Sequence, residues 1–82
     1  MIAESPVPGG IVKHSIVVAG HSTSISLEQA FWVALRQIAV SRSISLAALV
    51  AQIDAARASA NLSSAIRVHV LETLLAKAEN QS

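Results

Sequence analysis

The sequence has no cysteine, three glycines, two prolines and only two aromatic side chains, Phe31 and Trp32, in 82 residues. Without cysteine it can form neither a disulfide framework nor a thiolate metal site. The three histidines, His14, His21 and His69, fall at spacings that fit no ligand pattern. Charge is sparse as well: Asp, Glu, Lys and Arg make up 13% of the chain, with a net charge of +1, against a usual share of about 25%. So small a surplus does not by itself announce nucleic acid or an anionic membrane. No apolar run approaches the roughly 18 residues of a membrane span. The opening "MIAESPVPGG" carries Glu4 and no basic residue, unlike a signal peptide. These absences lead to the expectation of a cytoplasmic protein with no metal, no cofactor and no membrane partner.

What is abundant is apolar surface, at 52% of residues. A domain of this size buries only about 60 to 65% of the surface its unfolded chain exposes. With disulfides and metals excluded, self-association is the remaining supplement to a marginal core. The composition therefore predicts an obligate oligomer, whether a homodimer or, through a second interface at the third helix, a tetramer.

The chain divides into an N-terminal arm over residues 1–12, marked by Pro6, Pro8 and the Gly9-Gly10 pair, and one domain over residues 13–82. "HSIVVAG", residues 14–20, is rich in β-formers, and "HSTSISL", residues 21–27, alternates Thr23, Ile25 and Leu27 with Ser22, Ser24 and Ser26. Ile16 and Val18 are even-numbered while Thr23, Ile25 and Leu27 are odd, so the parity must be reset between them. A two-residue turn at Ala19-Gly20, pairing Val18 with His21 and Ile16 with Thr23, does this; so does a bulge at Gly20. The residues leave both open.

A first helix is expected from about Glu28, with Ser26 and Gln29 at capping-box spacing and Phe31, Leu35, Ile38 and Ala39 as its apolar stripe. Trp32, beside that stripe, reads as a partly buried packing residue. Ser41, Arg42 and Ser43 interrupt, and Ser45 is a good N-cap for a second helix carrying Leu46, Leu49, Val50 and Ile53 and fading near Ser59. A third helix, about residues 62–79 with Asn61 as its cap, has two adjoining stripes, Leu62/Ile66/Val70/Leu74 and Val68/Leu71/Leu75. More than half its circumference is apolar, so it needs two neighbours. There is no internal repeat and no sustained heptad.

A strand with one buried face cannot leave its backbone groups unpaired, so a single strand beside helices must find its partner in another copy. Two copies of "HSTSISL" paired antiparallel about a two-fold axis would turn Ser22, Ser24 and Ser26 outward. The shared core would then hold Thr23, Ile25, Leu27, Phe31, Leu35, Leu49, Val50 and Ile53. "GHSTS" lacks the closing glycine of a nucleophile elbow, and a chain of this length cannot hold that hydrolase fold, so no enzymatic activity is expected.

The series "TSISLE", "FWVALRQIA", "SLAALVAQID" and "NLSSAIRVHVLE" resembles the ribbon-helix-helix family of MetJ/Arc-like bacterial DNA-binding proteins, in a longer branch with a third helix, over about residues 13–75. The resemblance implies an α+β, mostly α fold: N-terminal strand or strands, three helices and an intertwined homodimer with an intersubunit antiparallel ribbon. It implies base contacts from Ser22, Ser24 and Ser26, and a phosphate held by the backbone at Ser45 and Leu46, where a helix N-terminus offers free donors. Lys13 and Arg42 are candidates to flank that phosphate. Serine stands at 22 and 26 where the branch often carries arginine, so hydroxyls of shorter reach would do the reading. Ser43 stands where such turns favour glycine, which puts Arg42 or Ser43 in a left-handed conformation.

Two functions follow. The first is a transcriptional regulator that inserts a dimeric β-ribbon into the major groove of double-stranded DNA. The alternative is the same dimeric fold as a protein-binding adaptor or antitoxin-like partner. The turn at Ala19-Gly20 bears on the choice. A hairpin in each protomer makes a four-stranded sheet about 14 to 15 Å across, against a major groove of about 12 Å. A bulge favours DNA, and a hairpin favours a protein partner.

Overall fold

The structure, a computed structural model, describes residues 10–58 and 61–80. The elements run β1 (Ile11–Val18), β2 (His21–Glu28), α1 (Gln29–Ser41), α2 (Leu46–Ala56) and α3 (Leu62–Asn80). Ile11 and Val12, assigned from sequence to the N-terminal arm, are strand residues paired with Glu28 and Leu27; residues 1–9 of that arm lie outside the described residues.

The parity reset is a two-residue hairpin, with Val18 opposite His21 and Ile16 opposite Thr23. Ala19 and Gly20 both have positive φ, 52° and 84°, as in the primed turns whose twist matches that of the strands they join. Gly20 adopts this conformation freely, whereas Ala19 carries a steric cost of about 1 kcal/mol. The hairpin gives β2 one backbone partner within its own chain.

Pairing with β1 keeps the backbone extended through Glu28, and a hydrogen bond from Gln29 N–H to the Gly10 carbonyl at 2.9 Å carries the ladder one step further. The expected capping box is therefore absent: Ser26 is still in the strand, and Glu28 occupies the N-cap position without a side-chain cap bond. The other helix starts follow the sequence. Ser45 Oγ accepts from Ala48 N–H at 3.0 Å, and Asn61 Oδ1 accepts from Ser64 N–H at 2.8 Å. α2 ends at Ala56, with Arg57 at its C-cap, short of Ser59, which is not among the described residues.

α1 ends in a left-handed cap. Ser43 has φ 58°, its N–H donates to the Val40 carbonyl and Ile44 N–H reaches back to the Ala39 carbonyl, each at 3.0 Å. This is the Schellman pattern. It turns the chain through 101° between the axes of α1 and α2, so both helices cover one face of the hairpin.

Thirteen apolar side chains, contributed by all five elements, form one core, and no polar residue is buried among those described. The hairpin contributes Ile16, Val18, Ile25 and Leu27; α3 closes the far side with Ile66 and Val70. The stripe of α1 keeps Leu35, Ile38 and Ala39 as expected, but Trp32 takes the place expected for Phe31. Trp32 is fully buried beside Leu35, Ile38 and Ala39, and Phe31 is half-buried at the edge. Trp32 takes the inner place because its Nε1–H donates to the Val12 carbonyl at 2.8 Å, satisfying the polar end of a buried indole. His14 packs edge-on against its ring, centroids 4.7 Å apart.

Among the described residues no single helix is long and apolar enough to cross a membrane. His69, on α3, has its Nε2 buried with no hydrogen-bond partner among the described residues. Burial holds its pKa below the ordinary imidazole value of 6.5, the nearby Arg42 adds to the effect, and Glu72 opposes it. The unfolded chain thus takes up this proton more readily than the folded one, and stability falls as pH drops through and below about 6.5. Urea midpoints measured from pH 8 to pH 5 should show this loss, and His69→Leu should flatten it. Ser43→Gly should raise stability by about 0.5 to 1 kcal/mol, read as a higher urea midpoint at unchanged slope, because glycine carries no Cβ penalty at positive φ.

Candidate nucleic-acid interface

The hairpin register decides which groups face outward. In a two-residue hairpin the residues flanking the turn exchange both backbone hydrogen bonds, and the bonded pairs alternate from there. With Val18 opposite His21, the odd-numbered residues of β2 bond to β1, and the N–H and C=O groups of Ser22, Ser24 and Ser26 point to the opposite edge. That edge has no strand beside it among the described residues. Its C-terminal end is met by α3: Ser63 Oγ donates to the Ser26 carbonyl at 3.1 Å. The outward backbone groups of Ser22 and Ser24 have no partner among the described residues.

The same register places side chains. Ser22, Ser24 and Ser26 are all exposed on the face turned away from the helices, while Ile25 and Leu27 are buried and Thr23 is half-buried beneath the sheet. β1 shares the outer face, setting Lys13 opposite Ser26, Ser15 opposite Ser24 and Val17 opposite Ser22. Val17 and Ile11 are exposed there, at 63% and 59%. The serine face expected from sequence is therefore half of a wider surface. Ser15, Ile11 and Val17 were not expected on it; the pairing that puts them there was legible in the Val18–His21 alternative, once a turn rather than a bulge is taken.

Glu28, at the junction of β2 and α1, accepts from Arg67 Nε of α3 at 2.9 Å. Arg67 also lies 5.9 Å from the centre of the Phe31 ring. The hydrogen bond from Arg67, with one from its own backbone N–H, holds the Glu28 carboxyl below the usual carboxylate range. Glu28 and Arg67 lie 39 residues apart, and no local pattern joins them.

At the start of α2 the Ser45 hydroxyl is engaged with Ala48 N–H. The N–H groups of Leu46 and Ala47 have no acceptor outside the helix among the described residues, as expected of a helix start. Of the candidate cationic flankers, Lys13 lies on the outer face of β1, and Arg42 donates to Thr73 Oγ1 of α3 at 3.5 Å. Of the expected core set, Leu35, Leu49, Val50 and Ile53 are buried and Phe31 is half-buried, within a single chain. No cluster of three His, Asp or Glu residues able to hold a metal occurs among the described residues.

The fold is a strand-turn-strand face over two helices set at 101°, closed by a third, with an outer edge of each strand unpaired by any other strand among the described residues. Its sequence matches the Ribbon-helix-helix domain model over residues 11–74, and the chain belongs to that family. Members usually form dimers that bind DNA, and the fold is not typically an enzymatic one. Among solved structures, an uncharacterized protein from Bordetella pertussis Tohama I is similar, with a TM-score of 0.76 and 26% identity over 92% of this chain. This chain spans 64% of that one. No curated protein matches the sequence.

Acidification below the carboxylate range should release Arg67 from Glu28 and loosen the contact between β2 and α3, because a carboxyl held low favours the folded state only while ionised. Hydrogen exchange at Ser26–Glu28 and in the first turns of α3 should accelerate there. Glu28→Gln should produce the same pattern at neutral pH.

Proposed function

We propose that this protein is a dimeric DNA-binding regulator whose two β2 strands pair with each other across a two-fold axis. The observation that carries this reading is the open edge of β2. Its other edge is bonded to β1 and its inner side is sealed by the core, while Ser22 and Ser24 present unpaired backbone groups on a strand whose outward side chains are polar. Unpaired strand edges call for a partner. A second copy offers the same edge in the opposite direction, which satisfies antiparallel pairing by symmetry. In that dimer Ser22, Ser24 and Ser26 of both chains form the central stripe and read base edges by their hydroxyls. The free donors at the start of α2 suit a phosphate.

The hairpin supports a second reading. With β1 outside β2, the dimeric sheet has four strands, about 14 to 15 Å across, and its rim carries the exposed apolar Ile11 and Val17. A sheet of that width does not lie flat in a groove of about 12 Å. A flat protein surface accepts it without adjustment, as an adaptor or antitoxin-like partner would. DNA reading instead requires the β1 strands to lift at the groove walls.

Solution mass and duplex binding at graded salt separate the readings. The regulator binds duplex with an affinity that falls steeply with salt, and Ser24→Ala changes its sequence preference while leaving the dimer intact. Absence of duplex binding at low salt removes the regulator and leaves the adaptor. Ser24→Pro deletes an outward N–H without touching the β1 ladder, so it should abolish ribbon pairing and keep the far-ultraviolet spectrum. Assembly unaffected by that change removes the ribbon itself.

A further inference from the structure

α3 is built with two apolar sides. Ile66 and Val70 enter the core, while Val68, Leu71 and Leu75 lie on the side turned away, at 53%, 55% and 56% exposure. At 3.6 residues per turn these three fall within one stripe across the helix from Ile66 and Val70. The helix also outruns its own domain. From Leu74 to Asn80 every residue is exposed, and the family match ends at Leu74 although α3 continues. A helical end of that length has little stability of its own in water.

We propose that this outer stripe is occupied by α3 of a second copy, packed in parallel as a short two-stranded coiled coil. The spacing sets the register: Val68 and Leu75 take the a positions, Leu71 and Ala78 the d positions. In the first heptad the β-branched Val68 at a is followed by Leu71 at d, the combination that favours two strands. The charges give the orientation. Arg67 falls at g and Glu72 at the following e, the two positions that meet between chains in a parallel pair. Arg67 engages Glu28 through Nε, and a guanidinium has further N–H donors to offer. In an antiparallel pair like flanks meet, and Glu72 and Glu79 would face the same acidic flank of the other copy. The stripe between the flanks has no charge of its own to exclude an identical surface.

This pairing does not depend on the β2 ribbon. If both interfaces form, the chain assembles as a tetramer; if only α3 pairs, as a dimer. Leu71→Glu tests it in either case, because it should halve the solution mass of the intact protein with the far-ultraviolet spectrum unchanged. Since the chain has no cysteine, Leu71→Cys and Leu75→Cys each introduce a single thiol. A parallel, in-register pair sets each thiol against its own copy, so both variants should form covalent dimers with oxidised glutathione as the electron acceptor. An antiparallel pair can bring at most one of the two positions together. A mass unchanged by Leu71→Glu, or linkage at fewer than both positions, overturns the proposal.

Discussion

A β-strand has two edges, and every backbone group on each needs a partner or water; in this two-stranded sheet that requirement is met by a strand on one side only, for β2 as for β1. β1 meets it on one side through a turn that only residues tolerant of positive φ can make, with Gly20 at ease and Ala19 strained. The resulting pairing fixes the inward set, Ile25 and Leu27 with Ile16 and Val18, on which α1, α2 and α3 assemble. It leaves the backbone of Ser22 and Ser24 facing out. Helix phase, core membership and the exposed serine face all depend on that one register, because a slip by a single residue would exchange the two faces of the sheet.

The hairpin changes the meaning of an apolar composition. With its strand partner in cis and α3 folded over α1 and α2, one chain gathers a core of thirteen side chains. The surplus apolar surface lies on the outer side of α3, on β1 at Val17 and Ile11, and on α1 at Val33 and Val40. The edge of β2 and the outer side of α3 have different chemistry. The β2 edge offers backbone donors and acceptors whose direction dictates antiparallel symmetry, and α3 offers side-chain shape with charged flanks.

Features that rest on neighbours in sequence were readable from it. Ser45 and Asn61 cap helices because a short polar side chain needs only to reach an N–H three residues on. The left-handed position after α1 was narrowed to Arg42 or Ser43, because the helix must stop and turn within four residues, and it falls at Ser43. The strand parity narrowed Ala19-Gly20 to two geometries. The predicted cap at Ser26 failed because a ladder bond from β1, invisible to local spacing, holds that residue in the strand. The exchange of Phe31 for Trp32 has a similar origin: the indole N–H finds a carbonyl twenty residues away.

The sequence alone determined the family, the order of strands and helices, the alternation that makes one face of β2 serine and the other apolar, and the apolar residues on both sides of α3. All of these are periodicities or short-range bonds, written in adjacent residues. Only the tertiary structure decided that the parity reset is a hairpin, that Trp32 lies innermost, that Glu28 meets Arg67, and that Ser15 and Lys13 share the serine face. Those outcomes depend on which distant backbone groups come within hydrogen-bond reach, and that distance is set by packing the whole chain at once.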